Sequence, residues 1–202
     1  KQGARMIQIS TDFVFDGRQS TPYTPDATPN PLSVYGASKQ AGDEAVINSL
    51  PPDRFAIVRT SWVYSSHGNN FVKTMLRLMA ERDRLTIVAD QIGSPTWANG
   101  LALALWQAVK NNLDGTHHWS DYGVASWYDF AVAIYEEGRR LNLLKRECEI
   151  LPIRSDQYPT AANRPAYSVM DKSVTVERLG LAPRHWRQNL RRMVAECQGQ
   201  IS

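Results

Sequence analysis

The chain has 202 residues, enough for one sizeable core, and at 43% hydrophobic and 21% charged it has the composition of a globular protein. Its net charge of +3 arises from 23 basic against 20 acidic residues without a dense Lys/Arg run, which argues against a nucleic-acid partner. Cys148 and Cys197 form neither a disulfide framework nor a metal-ligand spacing, and neither a signal peptide nor a bilayer-spanning apolar run is recognisable, so a reducing cytoplasm without membrane is expected.

In chain order, residues 6 to 10 (MIQIS) form a short apolar run that predicts a buried strand. A stretch with four prolines between residues 22 and 31 predicts an irregular loop. Ser33 is a candidate N-cap for the next helix, with Val34, Ala37, Ala41 and Ala45 as its expected buried stripe. "RFAIVRTSWVY" predicts a second strand and "NNFVKTMLRLMAERD" an amphipathic helix buried through Phe71, Met75 and Leu78; "LTIVAD" predicts a third strand. "WANGLALALWQAVKNN" predicts a helix ending near Lys110, and "GTHHWS" a short strand. A capping-box pattern, Ser126 with Asp129, opens the helix "SWYDFAVAIYEEGRRLN". "CEILPI" predicts a strand, "RSDQYPTAANRPAYSVMD" an irregular segment, and two closing helices follow, the first stopped by Gly180. The basic runs "EEGRRLNLLKRE" and "RHWRQNLRRM" have helical spacing and predict solvated faces.

Strands alternating with helices predict an α/β fold with a mostly parallel sheet. The alternation is regular up to about residue 90 and irregular beyond it. Residues 1–90 are therefore expected to belong to the sheet domain, and 91–202 mainly to a ligand-covering lobe, with segments interleaved.

Tyr35 and Lys39 lie four apart on the predicted helix and so share a face, their Cβ atoms about 6 Å apart. A phenol is a poor acid–base group at neutral pH unless its anion is stabilised, which a neighbouring ammonium does. A hydroxyl at a strand end, Thr11, could hold that phenol against a substrate carbonyl. The trio suits protonation of an alkoxide as a hydride reaches carbon. Y-x-x-x-K alone is a weak motif, equally at home on a surface helix. Its context, a polar loop leading from a strand-end hydroxyl to the helix, strengthens it.

"STDFVFDG", "PYTPDATPNPLSVYGASKQAGDEAV", "VRTSWVY", "GNNFVKTMLRLMAERDRLTIVADQIGSPT" and "NRPAYS" together resemble the dTDP-4-dehydrorhamnose reductases of the extended short-chain dehydrogenase/reductase superfamily. The resemblance runs in order over nearly the whole chain. It implies the C-terminal part of a Rossmann-like, doubly wound parallel sheet plus a smaller substrate-binding lobe. The implied reaction is NADPH-dependent reduction of the 4-keto group of dTDP-4-dehydro-L-rhamnose to dTDP-L-rhamnose, with NADH as the alternative hydride donor. Tyr35 would be the proton donor, Lys39 would hold the nicotinamide ribose and lower the phenol's pKa, and Thr11 would tune that phenol and touch the sugar. Thr60 and Ser61 would approach the nicotinamide. Asp12, Trp62, the loop 90–96 with Gln91 and Thr96, and Arg164 would bind the nucleotide sugar, Arg164 through its diphosphate. Without the family, core packing would serve equally for Trp62, and a surface ion pair would explain Arg164.

Related dehydratases carry an acidic pair after the Thr; here Asp12 is followed by Phe13, which favours simple ketone reduction. Some of these reductases place a metal-binding Glu shortly after the "PT" of the substrate loop. Trp97, Ala98 and Asn99 stand there in this chain, so no such metal is expected.

A dinucleotide site of this superfamily needs a Gly-rich turn, because only glycine lets the backbone close on a pyrophosphate at a helix N-terminus. Neither G-x-x-G-x-x-G nor G-x-G-x-x-G occurs in this sequence. With its first residue not Met and a strand starting at residue 6, the chain reads as a fragment of a longer reductase, inactive when isolated. Such a piece is expected to expose a sheet edge and apolar faces and to self-associate, a homodimer being the simplest form. A non-catalytic binding or regulatory module on the same scaffold is the alternative.

Overall fold

A computed structural model describes residues 3–158 and 163–198. The chain begins with strand β1 (Met6–Thr11), a single 3-10 turn (Asp12–Val14), helix α1 (Val34–Ser49) and strand β2 (Phe55–Thr60). There follow β3 (Val63–Tyr64), α2 (Phe71–Glu81), β4 (Arg84–Val88), β5 (Ile92–Gly93), β6 (Thr96–Trp97) and α3 (Ala98–Lys110). β7 (Gly115–His118), β8 (Ala125–Ser126), α4 (Trp127–Arg140), β9 (Glu149–Ile153), α5 (Ser173–Leu179) and α6 (Trp186–Gln198) complete it. Of the predicted irregular segment 154–171, residues 159–162 lie outside the described residues.

β1, β2 and β7 form a parallel sheet in that order. All six residues of the central strand β2 are buried, as expected of a strand covered on both faces. Their alternation divides the two layers: Phe55 and Ile57 pack with Val46 and Leu50 of the α1 side, whereas Ala56 and Val58 pack with Leu101, Ala104 and Ala108 of α3. This is the doubly wound arrangement implied by the sequence. β4 pairs in parallel with β9, β3 with β6, and β5 antiparallel with β8. A second core gathers Met75 and Met79 of α2, Phe130 and Ile134 of α4, and Leu190 and Met193 of α6.

The caps form as the sequence predicts. Ser33 accepts the Gly36 N–H, both halves of the Ser126–Asp129 box are made, and Gly180 closes α5 in the left-handed region at φ 61°. The apolar run 55–64 is interrupted, because the backbone turns at Ser61 and Trp62 before β3.

One expectation is overturned. The stripe Val34, Ala37, Ala41 and Ala45 faces outward, Val34 being 88% exposed. α1 instead buries Gly36, Asp43 and Val46. Asp43 accepts hydrogen bonds from Gln8 Nε2 and Ser10 Oγ, both at 2.7 Å, and lies 3.5 Å from the Arg59 guanidinium. Turning the alanine stripe inward would gain only a few methyl groups and would leave that buried guanidinium without its carboxylate, the costlier outcome. Among the described residues β1 pairs only with β2, and its Met6 and Ile9 are 42% and 45% exposed. No helix among the described residues is long and apolar enough to cross a membrane, and both cysteines are free and buried.

Candidate active site

Thr11 and Thr60 sit side by side in register at the carboxyl ends of β1 and β2, where open α/β sheets bind their ligands. The Thr11 hydroxyl accepts the Phe13 N–H at 3.2 Å, capping the 3-10 turn, and donates to Asp12 Oδ1 at 3.1 Å. The buried Thr60 hydroxyl has no partner among the described residues. The Ser61 hydroxyl is engaged by the Ser94 carbonyl at 2.7 Å, which ties the end of β2 to the loop 90–96.

α1 brings the other two chemical groups to this edge. A Cβ on Gly36 would lie 2.2 Å from the Phe13 carbonyl oxygen, so only glycine lets the helix start come this close to the turn after Thr11. Tyr35, the residue before it, presses its ring edge-on against Phe13, with centroids 5.7 Å apart. Lys39, one turn on, donates from Nζ to the Ile9 carbonyl at 2.7 Å. Thr11, Tyr35 and Lys39 therefore gather at one place. Among the described residues, no hydrogen bond joins Thr11 to Tyr35 or Tyr35 to Lys39, and the phenol is half exposed.

Asp12 is buried below this cluster. Among the described residues its Oδ2 has no partner, and burial, opposed by hydrogen bonds from Ser168 and Thr11, pushes its pKa up from 3.8 to about 6. The folded state thus holds this proton more tightly than the unfolded chain does. The group's contribution to stability is greatest in acid, is lost as pH rises from about 4 through about 6, and is constant above that. The shift corresponds to about 3 kcal/mol. We expect the stability difference between wild type and Asp12→Asn, which cannot titrate, to fall by that order between pH 4 and pH 7 in urea titrations. A difference independent of pH would refute the assignment.

Next to the cluster lies a narrow cleft lined by Phe13, Trp62, Gln91, Trp127, Arg164, Pro165 and Ser168. It abuts a cavity of about 630 Å³ between α2, β4, the start of α4, residues 155–158 and residues 163–164. Phe71, Met75 and Leu78 form the cavity's apolar side, and Thr74, Thr86, Ser155, Asp156 and Asn163 supply polar groups. Gln91, Trp127 and Arg164 line both spaces. The exposed Arg164 guanidinium has no acidic partner among the described residues. Trp62, Gln91 and Arg164, predicted from sequence, thus come together. Thr96 does not join them. It is fully buried in β6 and lines neither space, and its N–H donates to the Trp62 carbonyl.

Sequence reasoning missed Trp127, along with Phe71 and Tyr158 as cavity walls. Phe71 was assigned to the core and Trp127 only to the start of a helix. A large aromatic at the first position after an N-cap, where a side chain can overhang the helix entrance, was the available signal. No group of three or more His, Cys, Asp or Glu that could hold a metal occurs among the described residues.

A family model described as the RmlD substrate binding domain matches residues 1–198. The spore coat polysaccharide biosynthesis protein SpsK of Bacillus subtilis (strain 168) is 41% identical over 96% of this chain and 65% of its own length. The dTDP-4-dehydrorhamnose reductase of Aggregatibacter actinomycetemcomitans is 37% identical over 98% of this chain and 69% of its own length. The crystal structure of a dTDP-4-dehydrorhamnose reductase from Bacillus anthracis str. Ames, in complex with NADP, superposes with a TM-score of 0.88 at 37% identity, over 96% of this chain and 66% of that one. The chain spans about two thirds of the length of these relatives.

Proposed function

Because the chain belongs to the RmlD substrate binding domain family, we propose that it supplies the proton-donating and nucleotide-sugar-binding part of an NADPH-dependent reductase. That enzyme converts dTDP-4-dehydro-L-rhamnose to dTDP-L-rhamnose. The observation that carries this reading is the contact at Gly36. It sets Tyr35 against Phe13, and Phe13 is a wall of the cleft that runs to Arg164 and the large cavity. A nucleoside diphosphate in the cavity, gripped at Arg164, would point its sugar along the cleft toward Tyr35.

Bound NADPH supplies the hydride to C4 of the sugar. The residues available to hold its nicotinamide end are Tyr35, Lys39, Thr60 and Ser61, and the unpartnered buried hydroxyl of Thr60 suits a polar ligand there. As the C4 carbonyl becomes an alkoxide, the Tyr35 phenol gives its proton to that oxygen. The Lys39 ammonium stabilises the phenolate left behind. Solvent returns the proton through the exposed side of the ring. Asp12, Trp62, Gln91 and Arg164 orient the nucleotide sugar.

The remainder of the reading follows from the same residues. Residues 1–90 contribute mainly to the sheet part and 91–202 mainly to the substrate lobe, with segments interleaved: α3 and β7 pack with the sheet, and α2 and β4 with the second core. The outward Val34–Ala37–Ala41 side of α1 supports self-association as a homodimer. Two free thiols suit the cytoplasm.

The test is oxidation of NADPH in the presence of dTDP-4-dehydrorhamnose, by the chain and by a form extended upstream. Turnover by the extended form that requires the nucleotide sugar is expected. An extended form that folds and binds both ligands without turnover would replace the reductase with a binding module.

A further inference from the structure

We propose that Trp127 is a positioning residue for sugar recognition: stacked on Trp62, it locks the indole that lines the cleft before any ligand arrives. This rests on the reductase reading above, which gives Trp62 the sugar as its ligand.

Trp62 has a φ of +46°. Among the described residues, the other non-glycine positions with positive φ are Asn112 and Asn142, a residue type whose short polar side chain tolerates that region. A bulky indole does not, so its conformation must be imposed by its surroundings. Two contacts impose it. The ring lies so close to Gly93 that a Cβ there would be 2.7 Å from it. The ring also stacks on Trp127 with centroids 3.6 Å apart and planes 8° from parallel.

Trp127 is itself fixed. It is the first residue of α4, held by the capping box directly before it, and Phe71 packs against it with centroids 4.7 Å apart. Trp127 also lines both the cleft and the large cavity. Trp127 therefore stands, with Gln91 and Arg164, where the cleft opens into the cavity, and its stack fixes the Trp62 indole on the cleft side of that opening. Preorganisation of this kind avoids paying for side-chain ordering when the ligand binds.

The readout is the ratio of the affinities for dTDP-L-rhamnose and dTDP, measured calorimetrically on the chain; it reports the sugar's share of binding alone. Loss of the stack is followed separately by the exciton couplet that two stacked indoles give in circular dichroism. Trp127→Leu should abolish the couplet and lower the ratio roughly three- to tenfold. Trp62→Leu should lower it by at least as much, and the double variant no further than Trp62→Leu. Trp127→Phe should restore most of the ratio, and Gly93→Ala, which displaces the Trp62 ring independently, should lower it.

A ratio unchanged in Trp127→Leu, with both affinities reduced equally, would make Trp127 a mere wall of the nucleotide cavity and overturn the proposal. So would losses that multiply in the double variant. An upstream-extended wild type that shows the couplet and binds NADPH but neither dTDP-L-rhamnose nor dTDP would instead overturn the reductase reading, and the role of Trp127 with it.

Discussion

Replacing Tyr35 by Phe is expected to lower kcat of the upstream-extended protein by about 10²- to 10⁴-fold, the range for loss of a positioned general acid. The ring's contact with Phe13 survives in the variant. The lost hydroxyl is a half-exposed one that makes no hydrogen bond among the described residues. KM for the nucleotide sugar should therefore change little, and unfolding free energy should stay within about 0.5 kcal/mol, as for other substitutions away from buried partners. Steady-state kinetics beside urea denaturation separate the two effects. A Phe variant that retains turnover within a few-fold would remove Tyr35 from the proton path. Lys39 would then be a tether to the Ile9 carbonyl and nothing more.

The second large effect is on stability, at the root of the same helix. Asp43→Ala should cost about 3–5 kcal/mol, the range for breaking a buried ion pair from one side. Asp43 and Arg59 are 2% and 5% exposed. Removing the carboxylate strands a buried guanidinium, and it deprives Gln8 and Ser10 of the acceptor they share. Arg59 has little else to fall back on, a 3.3 Å hydrogen bond to the Pro25 carbonyl and the face of Phe15. A loss of that size is a large part of the 5–15 kcal/mol typical of a whole domain. By contrast, Ala at Glu81, which pairs with Arg77 on an exposed face of α2, should cost about 0–1 kcal/mol. Chemical denaturation of both variants checks the pair. A loss below about 1 kcal/mol for Asp43→Ala would mean that water reaches Arg59, contrary to its burial.

These two predictions mark what could be read from the sequence and what could not. Caps were legible because their chemistry is local: Ser33, Ser126 with Asp129, and Gly180 each act within three or four residues. The longer strands and the helix α2 were legible for the same reason. Yet α2 buries Val72, Met75 and Met79, while Phe71 and Leu78 of the expected stripe wall the cavity, and the two-residue strands β5, β6 and β8 were not foreseen. The orientation of α1 was not legible. Its packed face is fixed by Gly36 against a carbonyl and by Asp43 against a strand, neither of which adds to a hydrophobic pattern, while the exposed alanines imitate one. Nor does a short apolar run state its partner; β4 pairs with β9, sixty-five residues away at Arg84 and Glu149. At the site, residues in recognisable motifs were named in advance. Trp127 entered only through space, because its importance lies in the indole it touches.

The order of the strands along the chain has a consequence for assembly. β2 meets β7 only after residues 61–114 have been made, and β4 has no partner until β9 emerges. Such non-local pairing slows folding, since loop closure comes before any contact repays it. It also clasps the product. A protease that nicked the exposed turn at residues 111–112 would leave β1, β2 and β4 on one piece and β7 and β9 on the other, still joined through two parallel ladders. The backbone could be cut there and the molecule would not come apart.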